Sequence, residues 1–214
     1  MPHRLLYVEA SPRGPLSIST ALAEHFIAKF RRAEPELVVD RLALWEQPLP
    51  ELNGAALAAK YAVLGKRDLT RNQADAWLNI GQIVDQVRMA DSVLLATPMW
   101  NFGVPYKLKH WIDLITQPGL SFAFDPASGY RPLLAARPVT VVLASSGDYA
   151  TGPSWGRPNL ASPYLREALG FIGLKDPAIV LSGPTAGDPT QQERGRMAAR
   201  EALDERVSQH RRTA

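Results

Sequence analysis

Hydroxyl side chains are concentrated near the N-terminus in the segment "ASPRGPLSIST" (residues 10–20), between an apolar run and a helical pattern. The segment contains no Lys, and Arg13 is its only basic residue. A helix N-terminus presents unpaired N–H donors and a partial positive charge, so the segment can bind a phosphate monoester through backbone and hydroxyl groups. The alternative is an ordinary serine-capped helix. The hydroxyls belong to Ser11, Ser17, Ser19 and Thr20, and either Ser17 or Ser19 can be the cap.

The fingerprints of two common nucleotide sites are absent from the sequence. It lacks G-x-x-x-x-G-K-[ST], so triphosphate chemistry is not expected, and it lacks G-x-G-x-x-G, which argues against the usual dinucleotide site. There is no Cys, and the four His residues lie outside the motifs described here. We therefore assign no protein nucleophile and expect no metal site.

Two further segments combine glycine with aromatic or hydroxyl side chains. In "TPMWNFGVPYKLKHWID" (97–113), prolines and a glycine surround Trp100 and Phe102, which can offer flat surfaces to a planar ligand. Packing in the core or in an interface is the alternative for these rings. In "SSGDYATGP" (145–153), Gly147 allows a ligand to approach the backbone closely, and a plain turn is the alternative.

The elements that position these segments are predicted by hydrophobic patterning. Apolar runs that alternate with helical spacing indicate an α/β protein with a five-stranded, doubly wound parallel sheet in a three-layer sandwich. The three segments follow the first, third and fourth strands, and ligands of such sheets bind beyond the carboxyl ends of strands. A short hairpin or an excursion from the sheet is expected at 122–132, and a single domain is expected over 1–214. The predicted strands are 4–10, 37–44, 91–97, 138–144 and 177–183.

Composition limits the classes of partner. The chain has 214 residues, 46% of them apolar, and a formal net charge of +3. No apolar run is long enough to cross a membrane, and no signal peptide is expected. The sequence has no basic stripe with interleaved aromatic residues, so nucleic-acid binding is not expected. The absence of Cys makes the cytoplasm the simplest compartment.

Three of these stretches also carry a resemblance to a known family. They are Ser11 together with "SIS" at 17–19, "PMWNFGVPYKLKHWID" at 98–113, and "SPYLREALGFIG" at 162–173. On them the chain resembles, over nearly its whole length, the FMN-dependent NADH-azoreductases, also described as NADH:quinone oxidoreductases, of flavodoxin-like fold. The resemblance implies that FMN is the bound cofactor and NADH the electron donor, with NADPH possible.

The resemblance also implies residue roles and shows departures. Relatives often have Tyr where Trp100 stands, Gln where Ile18 stands, and S-R-G-G where this chain has "SSGD" at 145–148. A main-chain N–H can serve at position 18. The resemblance implies that the FMN phosphate is bound by Ser11, Ser17, Ile18 and Ser19. It implies that the isoalloxazine ring lies against Pro98, Met99, Trp100, Asn101 and Phe102. It also implies that the pyrimidine end of the ring is approached by Ser145, Ser146, Gly147 and Asp148.

The chemistry that the resemblance implies belongs to the cofactor, while the protein supplies position and electrostatics. Backbone N–H groups around Gly147 are suited to stabilise the negative charge of the reduced ring. We expect a homodimer with two FMN sites at its interface, and ping-pong reduction of quinones and aromatic azo compounds. The alternatives are another flavodoxin-like NAD(P)H-dependent FMN or quinone reductase, an electron carrier, and a phosphate-ester hydrolase.

Overall fold

The central layer of the protein is a parallel sheet, seen in a computed structural model that describes residues 2–210. The sheet contains five strands in the spatial order β2-β1-β3-β6-β7, which confirms the doubly wound sheet predicted from the apolar runs. The strands are β1 (Arg4–Glu9), β2 (Val38–Ala43), β3 (Ser92–Pro98), β6 (Val139–Ala144) and β7 (Ala178–Ser182).

A separate antiparallel hairpin follows the fourth helix, as the turn signals predicted. Its strands are β4 (Phe122–Asp125) and β5 (Gly129–Pro132), and they pair with each other as a two-stranded sheet. The side-chain oxygen Oδ1 of Asp125 accepts hydrogen bonds from the backbone N–H groups of Ala127 and Ser128, and these bonds close the connecting turn. They also lower the pKa of Asp125.

Helices cover both faces of the sheet because successive side chains of a strand point to opposite sides. In β1, Leu5 and Tyr7 pack in one hydrophobic cluster, while Leu6 and Val8 pack in the other. The first cluster is covered by α1 (Ile18–Ala33) and α6 (Pro189–His210). The second is covered by α2 (Gly54–Leu64), α3 (Arg71–Met89), α4 (Tyr106–Ile115) and α5 (Ala161–Phe171).

Strand order decides which loops meet. Strand β1 pairs with both β2 and β3, and β3 pairs with β6, so β1, β3 and β6 are neighbours in the middle of the sheet. All three are parallel, and their carboxyl ends therefore lie at the same edge. The three segments singled out in the sequence leave the sheet side by side at this edge. Within residues 2–210, no helix is both long enough and apolar enough to cross a membrane.

Candidate functional site

The loop after β1 places three serine hydroxyls at the start of α1. A single 3₁₀ turn over Gly14–Leu16 leads into the helix, and Ser17 is the N-cap, its Oγ accepting from the backbone N–H of Thr20 at 3.2 Å. The hydroxyls of Ser17 and Ser19 share a hydrogen bond of 3.1 Å. Ser11, Ser17 and Ser19 are all buried. Of the two caps considered from the sequence, the structure therefore selects Ser17.

Several donors converge on this loop. The N–H groups of Ile18 and Ser19 lie in the first turn of α1, where no helical carbonyl is available to them. Arg13 adds a positive charge, although the sequence analysis gave it no role in phosphate binding. Its exposed side chain lines the same cavity as the serines. The loop therefore offers hydroxyls, helix N–H groups and one guanidinium, which together suit a phosphate dianion.

A buried carboxylate lies behind the loop and is neutralised by strand β2. Glu9 accepts hydrogen bonds from Thr20 Oγ1 at 3.0 Å and from Arg41 Nε and Nη2 at 2.9 and 2.6 Å. Arg41 also bonds to Glu46 on the surface. The hydrogen bond to Glu46, followed by those to Glu9, raises the pKa of Arg41 despite some burial. The serine loop after β1 is thereby shielded from the negative charge of Glu9.

The loop after β3 forms a tight turn that displays aromatic side chains. Trp100 and Gly103 exchange backbone hydrogen bonds of 3.0 and 2.9 Å, and the two residues between them have positive φ, 48° at Asn101 and 69° at Phe102. This is the pattern of a type I′ turn, in which a phenylalanine is an unusual occupant. The Phe102 carbonyl accepts from the N–H of Leu160 at 3.0 Å, which ties the turn to the start of α5.

Trp45, which follows β2, was not identified from the sequence. Its indole N–H donates to the carbonyl of Ala10 at 3.0 Å, and its ring lies 5.9 Å from that of Trp100 and 5.2 Å from that of Tyr106. Trp45 therefore connects the serine loop with the aromatic turn. The available signal was its position directly after a strand, at the edge where ligands bind in such sheets.

The loop after β6 is held by close backbone packing. The Ser145 hydroxyl donates to the carbonyl of Gly147 at 2.8 Å. A Cβ placed on Gly147 would lie 2.4 Å from Ser154 Oγ, and one on Gly183 would lie 2.3 Å from the Gly147 carbonyl oxygen. Glycine is thus required at position 147 by the protein's own packing. Asp148 is exposed, and its Oδ1 accepts from the N–H of Ala150.

The three loops enclose a cavity of about 190 Å³, here called the serine cavity. Thr185, which follows β7, also lines it and was not predicted. Its full lining is Ser11, Pro12, Arg13, Ser17, Ile18, Ser19, Pro98, Met99, Trp100, Ala144, Ser146 and Thr185.

A second cavity of about 480 Å³, here called the tryptophan cavity, lies beside it. Ser146 lines both cavities and so joins them. The serine cavity alone is smaller than the usual pocket for a cofactor-sized ligand, whereas the neighbouring space can take the remainder. The tryptophan cavity is lined by Phe102, Ser146, Gly147, Tyr149, Ser154, Trp155 and Arg157.

The structure brings together most, but not all, of the residues predicted for the site. Phe102 and Gly147 line the tryptophan cavity rather than the serine cavity. Asn101, Ser145 and Asp148 line neither, since the Ser145 hydroxyl is bonded to the loop itself and Asp148 is in solvent. A larger cavity of about 770 Å³ lies beside α5 and the segment leading into β7, at the opposite edge of the sheet.

Fold and site define a doubly wound α/β protein with a serine-rich loop and a cavity at the carboxyl edge of its sheet. The chain belongs to the flavodoxin-like fold family, whose profile matches residues 3–207, and within it to the FMN-dependent NADH:quinone oxidoreductases. This confirms the family expected from the three sequence stretches.

Individual relatives support this membership. FMN-dependent NADH:quinone oxidoreductase 1 of Bradyrhizobium diazoefficiens is 45% identical over 206 residues, covering 95% of this chain and 96% of the relative. The FMN-dependent NADH:quinone oxidoreductase of Desulfotalea psychrophila is 44% identical over 191 residues, covering 89% and 90%. The crystal structure of an azoreductase from Bacillus anthracis has a TM-score of 0.85 at 25% identity, covering 97% and 99% of the two chains.

Proposed function

We propose that the chain is an FMN-dependent oxidoreductase that uses NADH to reduce quinones and to cleave aromatic azo bonds. The observation that carries the proposal is the serine cavity, which presents a phosphate-binding loop and is joined through Ser146 to a space lined by aromatic side chains. The names of the similar proteins agree with this arrangement. When bound, FMN supplies two-electron chemistry between the nicotinamide and the acceptor.

The serine loop is assigned to the cofactor's phosphate. Ser11, Ser17 and Ser19 donate hydroxyl hydrogen bonds, while Ile18 and Ser19 donate N–H groups from the first turn of α1. Arg13 at the rim supplies the charge that the family resemblance did not lead us to expect. Because Glu9 is paired with Arg41, the buried anion behind the loop does not oppose the phosphate.

The aromatic turn and the loop after β6 are assigned to the ring. Met99 and Trp100 line the serine cavity, and Phe102 and Gly147 continue the wall beyond Ser146. Backbone N–H groups near Gly147 are suited to stabilise negative charge on the reduced ring. Asn101, Ser145 and Asp148 act in this proposal by shaping the two loops, since they line neither cavity.

Donor and acceptor are proposed to use one open face in turn. Hydride transfer requires the nicotinamide within about 3–3.5 Å of the ring, and an acceptor must reach the same face to collect electrons. The two cannot be bound productively together, so the kinetics are ping-pong. Double-reciprocal plots at several fixed quinone concentrations are expected to be parallel, and intersecting lines would contradict the shared face.

We also propose a homodimer, with the reaction in the cytoplasm. Phe124 and Tyr130 of the hairpin are exposed and pack against each other at a tilt, with ring centroids 4.8 Å apart, and Trp100 and Phe102 are also exposed. Such aromatic surface is typical of interfaces. Phe122 of the same hairpin is buried against Tyr130 and Phe171, so it is not part of this exposed aromatic surface. Light scattering that finds a fully active monomer would contradict the dimer.

The identity of the bound ligand tests the function directly. The purified protein is expected to be yellow, with about one FMN per chain that heat releases and chromatography identifies. Anaerobic NADH is expected to bleach the flavin rapidly, which an electron carrier without its own NADH oxidation would not show. Steady-state constants for NADH and NADPH separate this enzyme from other flavodoxin-like NAD(P)H reductases. Recovery of FAD, or of no flavin after reconstitution, would overturn the proposal.

A further inference from the structure

The segment between β6 and α5 contains a second tight turn that presents a tryptophan to solvent. Ser154 and Arg157 exchange backbone hydrogen bonds of 3.1 and 3.0 Å, and the residues between them have positive φ, 52° at Trp155 and 73° at Gly156. The left-handed region is unfavourable for a bulky side chain. The Trp155 side chain is nevertheless 96% exposed, so its burial within the chain does not explain the residue.

The turn forms one wall of the tryptophan cavity. The other aromatic residues of that cavity are Phe102 and Tyr149, and its volume of about 480 Å³ is in the range of small-molecule sites. Three aromatic side chains around one space favour a flat, unsaturated ligand, because such rings gain from stacking or edge contacts.

The charge of this cavity is positive. Arg157 is the only charged side chain in its lining, and among residues 2–210 its guanidinium has no salt-bridge partner. The nearest carboxylate in sequence, Asp148, lies outside the lining, and its Oδ1 accepts from Ala150. A free guanidinium beside aromatic rings binds carboxylate or sulfonate oxygens with directed hydrogen bonds.

We propose that the turn Ser154–Arg157 selects the electron acceptor, favouring flat aromatic molecules that carry a sulfonate or carboxylate. With the FMN ring placed against Phe102 and Gly147, the ring of the acceptor lies beside it, against the exposed Trp155, and its anionic group is bound by Arg157. This inference rests on the proposed function, because Ser146 joins the tryptophan cavity to the serine cavity assigned to FMN. Arg157 and Trp155 are specificity residues in this proposal and take no part in electron transfer.

Two substitutions separate charge from stacking. Arg157→Gln removes the charge and keeps a polar, shorter side chain. Trp155→Asn removes the indole and creates Asn-Gly, the preferred sequence of a type I′ turn, so that the turn itself is retained. Arg31→Gln is the matched control, since it also removes one exposed positive charge but lies in the last turn of α1, at the opposite end of that helix from the serine loop.

The probes are naphthalene-2-sulfonate and the neutral 2-naphthylmethanol, titrated by calorimetry into the FMN-loaded protein. Selectivity is the ratio of their two dissociation constants. Arg157→Gln is expected to reduce the selectivity for the sulfonate about tenfold, as loss of a charged hydrogen bond would. Trp155→Asn is expected to weaken the binding of both probes about fivefold, because an aromatic contact is lost. Arg31→Gln is expected to change neither.

NADH is also an aromatic anion, and its Michaelis constant distinguishes the two ligands. Unchanged selectivity in Arg157→Gln overturns the proposal, as does an equal loss in Arg31→Gln. A tenfold rise in the Michaelis constant for NADH with sulfonate binding unaltered also overturns it, because the turn would then serve the dinucleotide. Failure to bind FMN after reconstitution would instead refute the proposed function, and probe titrations of the unloaded protein would still measure what the turn binds.

Discussion

The carboxylate of Glu9 lies 2.6 Å from Nη2 of Arg41, across the pair of strands β1 and β2. The register pairs Glu9 with Ala43, so Arg41 is its diagonal neighbour on the same face of the sheet. Glu9 is 3% exposed, and its other oxygen accepts from Thr20 at the start of α1. Glu9 thereby connects strand β2 with the serine loop at the start of α1.

Arg41→Gln is expected to lower the free energy of unfolding by about 2–3 kcal/mol, because it leaves a buried carboxylate without its cation. It is also expected to weaken FMN binding, because the Glu9 carboxylate behind the serine loop is no longer neutralised. Chemical denaturation and flavin titration measure the two effects. Glu46→Gln, which removes only the exposed partner of Arg41, is the control and should have a clearly smaller effect. Equal effects of the two substitutions would contradict the role assigned to Glu9.

Ser17→Asp is expected to weaken FMN binding well over tenfold while leaving the fold intact. Aspartate is as good an N-cap as serine, so α1 is preserved, but its charge opposes the phosphate. Riboflavin, which lacks the phosphate, should lose less affinity. Ser17→Asn is the matched control because it caps the helix without charge. If FMN and riboflavin lose affinity equally, the loop does not hold the phosphate.

Gly147→Ala is expected to destabilise the protein by about 1–3 kcal/mol through overpacking. The new Cβ would lie 2.4 Å from Ser154 Oγ and 2.8 Å from Ser154 Cβ. Ser154→Gly removes both of these atoms, so the double variant Gly147→Ala/Ser154→Gly should recover most of the loss. The test compares the denaturation midpoints of the parent protein, the two single variants and the double variant. Failure of the second substitution to restore stability would show that another contact limits position 147.

Acid is expected to loosen the contact between α1 and α6. Partial burial raises the pKa of Asp204, but hydrogen bonds from Lys29 and His25 outweigh it and leave that pKa below the ordinary value of 3.8. A carboxyl with a lowered pKa in the folded state stabilises the protein above its unfolded pKa, and this contribution is lost as the pH falls through the folded pKa.

Unfolding free energies between about pH 6 and pH 2.5 measure this effect. The Asp204→Asn variant should be less stable near neutrality and should show a shallower acid loss than the parent protein. Asp75→Asn is the control, because this exposed α3 carboxylate has no salt-bridge partner in the described part of the chain. Identical pH profiles for the parent and Asp204→Asn would show that Asp204 is not the source of the acid sensitivity.

The elements and the edge that carries the site could be predicted from the sequence alone. Apolar runs, helical periodicity and a serine cap are local patterns, and each reflects interactions within a few residues of chain. Together with the rule that ligands of parallel sheets bind beyond the carboxyl ends of the strands, they directed attention to the loops after β1, β3 and β6. The family motif then supplied the chemistry of the ligand, which composition and spacing had left open.

Contacts between distant residues were decided only by the tertiary structure. Trp45 reaches Ala10 and Trp100, and Arg157 meets Phe102 in one cavity, although no local pattern relates these positions. Conversely, Asp148 is adjacent to Gly147 in sequence but lies outside the cavity that Gly147 lines. Such outcomes depend on turn geometry, since one residue in the left-handed region redirects the chain and every side chain that follows it.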